Sequence, residues 1–224
     1  MNNFNSISMA GGGFLGLFYY MGIIKFLNEN YKNKEFICFG SSAGSFAATI
    51  FLLIKYDLYS YDFLLNKINE FLNKLIKNTY FSVPFMCCTF MENFINNIIL
   101  LDDNNLKIIF DKLFISITEI NNGFPKNILI KPISKNQLIK MLISSSLIPI
   151  IIGFNKNYID GSFTNNQPYI NKNKTLKINC IYSYNSDIYP SKWINLFYIF
   201  KIPNQSTRNF LINLGYNDIK QFFS

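Results

Sequence analysis

Two short apolar runs each break into glycines and other small residues and then into an apolar stretch of helical length. That repeated pattern constrains the fold most. Ser6 to Met9 leads into Gly11-Gly12-Gly13 and then Phe14 to Leu27, which is apolar nearly all round. Phe36 to Phe39 leads into Gly40-Ser41-Ser42-Ala43-Gly44 and then Ser45 to Tyr56. A short apolar strand, a tight glycine turn and a helix, used twice, build an α/β layer with a mostly parallel sheet. The uncharged stretch Ile7 to Ile24 has about the length of a membrane span. It contains glycines at 11, 12, 13, 16 and 22, and the first three break a spanning helix, so a strand, a glycine loop and a buried helix describe it better.

Further along, Tyr61, Leu64, Leu65, Ile68, Phe71, Leu72, Leu75 and Ile76 recur at helical spacing, with Asn, Lys and Glu between them. This predicts an amphipathic helix packed on the core. Helices are also expected over Asn104–Phe114 and Lys135–Leu147, and strands over Ile128–Ile130 and Leu176–Ile181. The tail from Asp187 to Ser224 shows no regular period. At 224 residues the chain suits one domain, 1–224. The expected fold is a three-layer α/β/α sandwich around a mostly parallel central sheet.

Charge and cysteine usage narrow the function classes. The formal charge is +8, but the lysines are scattered and Arg208 is the sole arginine, so nucleic-acid binding is not expected. A basic surface does favour anionic membranes. Cys38, Cys87, Cys88 and Cys180 have no metal-ligand spacing, and no histidine completes a set, so no metal and no cofactor are expected. Reduced core thiols fit an intracellular protein. The first charged residue is Lys25, so there is no basic n-region and secretion is not expected.

The segment Gly40-Ser41-Ser42-Ala43-Gly44 satisfies G-x-S-x-G between an apolar strand and a helix. There a sharp turn lifts a serine hydroxyl clear of the sheet. Ser42 is the candidate nucleophile and Gly40 and Gly44 flank the elbow; the bland alternative is a helix cap by Ser41 or Ser42. Gly11-Gly12-Gly13-Phe14-Leu15-Gly16 formally matches a dinucleotide loop, but no acidic residue follows at the end of a second strand. The other reading is an oxyanion hole of backbone N–H groups, and a phosphate-cradling loop is the third. With no histidine in the chain, a Ser-His-Asp triad is excluded. The base for Ser42 must then be a carboxylate, a lysine or a cofactor group. Asp160 follows the strand-like Tyr158-Ile159 and precedes Gly161; it is either a partly buried carboxylate at a strand end or a turn aspartate.

A glycine-rich loop, then G-x-S-x-G, then Asp-Gly, in that order, resembles the patatin-like phospholipase family. Ser8-Met9-Ala10-Gly11-Gly12-Gly13-Phe14-Leu15-Gly16 looks most like its adipose-triglyceride-lipase branch. Ser144-Ser145-Ser146-Leu147-Ile148-Pro149, Tyr158 to Pro168, Ser186 to Pro190 and Gly215 to Asp218 resemble further parts of that branch. The resemblance implies a lipid acyl hydrolase with a Ser42–Asp160 dyad and an oxyanion hole at Gly11, Gly12, Gly13 and Phe14. It implies a fatty-acyl ester substrate, phospholipid or acylglycerol, met at a membrane or droplet surface by a cytoplasmic, peripherally associated protein. Ser162 departs from the glycine or alanine usual after Asp-Gly. That departure keeps open a catalytically silent lipid- or membrane-binding module on the same fold.

Overall fold

The computed structural model describes residues 4–78, 88–121, 123–146 and 157–224. In chain order the elements are β1 (Ser6–Met9), α1 (Gly13–Asn30), β2 (Ile37–Ser41), α2 (Ala43–Lys55), α3 (Tyr61–Asn78), α4 (Cys88–Ile98) and α5 (Asp103–Phe110). They continue with β3 (Leu113–Asn121), β4 (Phe124–Ile130), α6 (Lys135–Ser145), β5 (Tyr158–Asp160), α7 (Ser162–Asn165), β6 (Thr175–Ile178) and α8 (Gln205–Phe223). The sheet order is β4-β3-β2-β1-β6, with β5 also paired to β3. β6, β1, β2 and β3 run parallel, while β4 and β5 are antiparallel to β3. This is the expected α/β class, a central sheet flanked by helices. Every residue of β1 is buried, as an inner parallel strand covered on both faces requires.

α1 is apolar on all sides because it is covered on all sides. It packs on α2 and along most of the length of α8. Helix α8 corrects the expectation of an irregular tail. Its buried stripe is Arg208, Leu211, Leu214, Gly215, Asp218 and Ile219, at helical spacing but half polar or small by residue type. Each polar member has a partner here. The Asp218 carboxylate accepts from Tyr19 Oη (2.9 Å) and from the Ser191 N–H and hydroxyl. Arg208 donates to Pro203 O and to the side chains of Asn69 and Asn73, and its guanidinium lies 5.3 Å from the Phe18 ring centroid. The single arginine is thus a buried brace joining α1, α3 and α8.

The other boundaries shift for local reasons. The helix expected over Asn104–Phe114 stops at Phe110, and Leu113 instead opens β3. Leu106, Ile109, Phe110 and Leu113 continue a helical period across that boundary, which conceals it. The strand expected at Leu176–Ile181 is β6, one residue earlier at its start and ending at Ile178. Leu147 to Pro149 lie outside the described residues, as does Cys87. Cys38 and Cys180 are free and buried. Among the described residues, no helix is long and apolar enough to cross a membrane.

The close seating of α8 on α1 depends on two facing glycines. A Cβ on Gly22 would lie 1.9 Å from Ile212 O, and one on Gly215 would lie 2.1 Å from Tyr19 O. Gly22→Ala is therefore expected to destabilise the fold by about 1–3 kcal/mol through overpacking. The better helix propensity of alanine returns only about 1 kcal/mol. A urea-unfolding midpoint that does not fall in this variant would show that the helices are not in backbone contact.

Candidate active site

The elbow between β2 and α2 holds Ser42 at φ 50° and ψ −128°, a conformation rarely taken by a residue with a side chain. Such strain costs about 1–3 kcal/mol and persists only where the surroundings impose it. Here the flanking glycines allow the chain to close up. A Cβ on Gly44 would sit 2.1 Å from Met9 O, so α2 begins in contact with the end of β1. Neither serine of the elbow caps the helix through its side chain. Ser42 makes no such bond, and Ser41 Oγ donates instead to Asn166 O at 2.6 Å.

Three segments converge on Ser42. From α6, Ser145 Oγ accepts the Ser42 N–H at 2.8 Å and donates to Ser116 O of β3 at 2.7 Å. Ser145 O also accepts the Gly161 N–H at 3.2 Å. One serine thereby joins the elbow, the central sheet and the Asp160 turn. From the glycine loop, Gly11 comes so close that a Cβ built on it would lie 3.1 Å from Ser42 Cβ and 2.2 Å from Ser162 Oγ. From the end of β5 comes Asp160, whose register partner on β3 is Ile117 and whose carbonyl accepts from Thr118 Oγ1 at 2.8 Å.

Asp160 is 2% exposed and Ser42 is 8% exposed. Burial pushes the Asp160 carboxyl above the usual carboxylate range, since the charged form loses water. Three groups oppose that. The Ser162 N–H reaches Oδ1 at 2.7 Å, and the neighbouring hydroxyls of Ser42 and Ser162 also favour the charged form. The result is a carboxylate more basic than usual, beside the candidate nucleophile. The turn role expected for Asp160 as the alternative is real as well, because the Ser162 N–H bond is an Asx-type bond two residues on. The two roles share one side chain.

The four glycine-loop residues divide. The Gly11 N–H donates to Asn166 Oδ1 at 2.9 Å, so Gly11 supplies room beside Ser42 and not a free donor. The N–H groups of Gly12, Gly13 and Phe14 donate to no described residue and open the first turn of α1. Gly13 takes φ 54°, and a Cβ there would meet Ile199 O at 1.9 Å. Behind the loop, Tyr20 Oη donates to Ala10 O at 2.6 Å and Cys180 Sγ approaches Gly11 O at 3.5 Å. Burial pushes the Cys180 thiol up to about 12, so it stays protonated and serves as packing. No group of acidic or cysteine side chains suited to hold a metal occurs among the described residues.

A family model described as patatin-like phospholipase matches residues 7–170, the span from β1 through the Asp160 turn. The chain belongs to the patatin-like phospholipase family. That membership carries the general chemistry of a lipid acyl hydrolase. The fold is similar to that of VipD from Legionella pneumophila, with TM-score 0.50 and 10% identity over 98% of this chain and 66% of that one. The chain spans just under two thirds of the VipD chain, and at this identity the likeness concerns the fold alone. No curated protein matches the chain in sequence.

Ser145, Ser116 and Asn166 are the site residues whose roles the sequence did not give. Ser145 stood in a quoted motif, but nothing in a serine triplet says which hydroxyl faces the elbow. Ser145→Ala is expected to leave the Ser42 N–H and Ser116 O unpaired, costing about 1–3 kcal/mol of stability. Hydrolytic activity should fall more steeply than stability, because the elbow loses its brace. Full activity in a folded Ser145→Ala protein would show that the bridge is dispensable.

Proposed function

We propose that this patatin-like protein hydrolyses fatty-acyl esters of glycerolipids with Ser42 as nucleophile and Asp160 as the base. The observation that carries the proposal is a buried carboxyl of raised proton affinity placed beside the Ser42 hydroxyl in a chain with no histidine. Ser42 Oγ attacks the acyl carbonyl carbon while Asp160 takes its proton. The carbonyl π electrons move onto oxygen, and the free N–H groups of Gly12, Gly13 and Phe14 stabilise that oxyanion. Collapse expels the alcohol, which leaves with the proton from Asp160, and an acyl-Ser42 ester remains. Asp160 then deprotonates water, which attacks the acyl-enzyme and releases the fatty acid and free Ser42.

The raised basicity of Asp160 suits this task, since a carboxylate of ordinary pKa is a weak base toward a hydroxyl. Ser162 donates its N–H to that carboxylate and does not displace it, which supports an active site over a silent one. Phe14-Leu15-Gly16 supports placement in the adipose-triglyceride-lipase branch, with a phospholipid or acylglycerol as substrate. The setting proposed is intracellular, at a membrane or droplet surface.

Ser42→Ala and Asp160→Asn should each lower kcat/KM for a short-chain ester by several orders of magnitude, and the double variant should be hardly worse than either. In the wild type, activity should fall with pH as Asp160 takes up a proton, with a midpoint above the ordinary carboxylate range because burial raises this group. Substantial activity in Asp160→Asn, or an acid limb at the value of an exposed carboxylate, would exclude Asp160 as the base.

A further inference from the structure

The segment from Ser191 to Lys201 exposes an unusual amount of apolar surface. Trp193 is 85% exposed, Phe197 59%, Leu196 51% and Phe200 46%. Isolated exposed apolar residues are ordinary, but several large ones in one short segment mark an interaction surface. The segment is not loose. Ile194 and Ile202 are buried at its two ends, and the 3₁₀ turn Leu196–Ile199 is capped by Asn195, whose Oδ1 accepts the Phe197 N–H at 3.0 Å. Residues three apart in such a turn point the same way, which places Phe197 and Phe200 on one outward face.

Its position is as informative as its exposure. Ile199 O lies where a Cβ of Gly13 would be, so the back of this segment rests on the glycine loop of the candidate site. The loop after β6 rests on the same glycines through Cys180, against Gly12. Two residues further on it exposes Tyr182 and Tyr184, which pack edge to face at 5.0 Å. Both aromatic loops therefore lead off from the glycine loop that carries these N–H groups.

The charges around them have one sign. From Gly161 to Ile202 the only acidic residue is Asp187, which is paired with Lys177 at 3.6 Å and also accepts the Lys177 N–H. Lys192 and Lys201 are exposed within the aromatic segment itself, and Lys201 Nζ lies 5.8 Å from the Phe197 ring centroid. Exposed aromatics bordered by lysines, with no uncommitted acid, match the lipid–water interface of an anionic bilayer. There rings sit at headgroup level and ammonium groups reach the phosphates. A protein partner would have to cover the same aromatics and also supply acids for Lys192 and Lys201.

We propose that the Trp193–Phe200 segment, together with Tyr182 and Tyr184, is the surface by which the protein docks on anionic membranes, with the glycine loop turned toward the lipid. The proposal rests on the acyl-hydrolase reading for its purpose, but its test is separate. Trp193 is the only tryptophan in the chain, so its emission reports on this surface alone. Binding is measured on the full chain carrying Ser42→Ala, so that vesicles stay intact. The vesicles are phosphatidylcholine alone or phosphatidylcholine mixed with phosphatidylglycerol, with and without brominated acyl chains. Trp193 emission should shift to the blue and be quenched by brominated lipid with the anionic vesicles, and added salt should weaken the effect. Phe197→Asp with Phe200→Asp should lower partitioning roughly tenfold or more. In the Ser42-containing protein the same pair should leave hydrolysis of a soluble short-chain ester unchanged.

No shift with anionic vesicles, an equal shift with neutral ones, or undiminished binding by the aspartate variant would overturn the proposal. So would a blue shift that tracks protein concentration without lipid, since that would make the face a contact between copies of the chain. If anionic vesicles are bound through Trp193 but no ester is hydrolysed, the docking surface stands and the reading of the site fails.

Discussion

The hydroxyl of Ser145 holds the active region together. It accepts the N–H of Ser42 and donates to Ser116 O, while the Ser145 carbonyl takes the N–H of Gly161. Three segments far apart in sequence are thus fixed to one residue at the end of α6. The elbow conformation of Ser42 costs energy by itself and survives because this bond and the glycine contacts impose it. Ser41 and Asn166 make a second tie, since Asn166 accepts from Ser41 through its carbonyl and from Gly11 through its side chain. The nucleophile, the carboxylate and the glycine loop are consequently positioned by hydrogen bonds and backbone contact, and not by the bulk of the core.

That arrangement answers an electrostatic difficulty. A buried carboxylate is costly unless paired, and among the described residues no cation lies beside Asp160 to pair it. Its burial is offset by neutral groups, the Ser162 N–H that donates to it and the neighbouring Ser42 and Ser162 hydroxyls. Neutral donors stabilise the anion less than an arginine or lysine would, so the carboxyl keeps a raised proton affinity. An ion pair in the same place would have secured the charge at the expense of basicity.

Much of this was legible in the sequence because it rests on local chemistry. The strand–glycine–helix pattern gave β1, α1, β2 and α2 within a few residues, since the apolar runs and glycines bound each element directly. The absence of histidine narrowed the base to a carboxylate, a lysine or a cofactor group, and the order of the three motifs, through the family resemblance, singled out Asp160. Helix α8 was not legible, because Arg208, Gly215 and Asp218 hold buried positions that a hydrophobic period would assign to apolar residues. Their partners, among them Tyr19 and Asn69, come from distant parts of the chain. β3 was hidden by a helical period that runs one residue into it. The roles of Ser145 and Asn166, and the loss of the Gly11 N–H to Asn166, are tertiary facts with no local signature.

The central claim is that Ser42 is activated by Asp160. It is tested most directly by peptide-resolved mass spectrometry after exposure to a fluorophosphonate, which reacts only with an activated serine. The account predicts a single adduct, on Ser42, formed orders of magnitude more slowly when Asp160 is replaced by Asn. An adduct on another serine, no adduct in the folded protein, or labelling of Ser42 at an undiminished rate in the Asp160→Asn protein would contradict it.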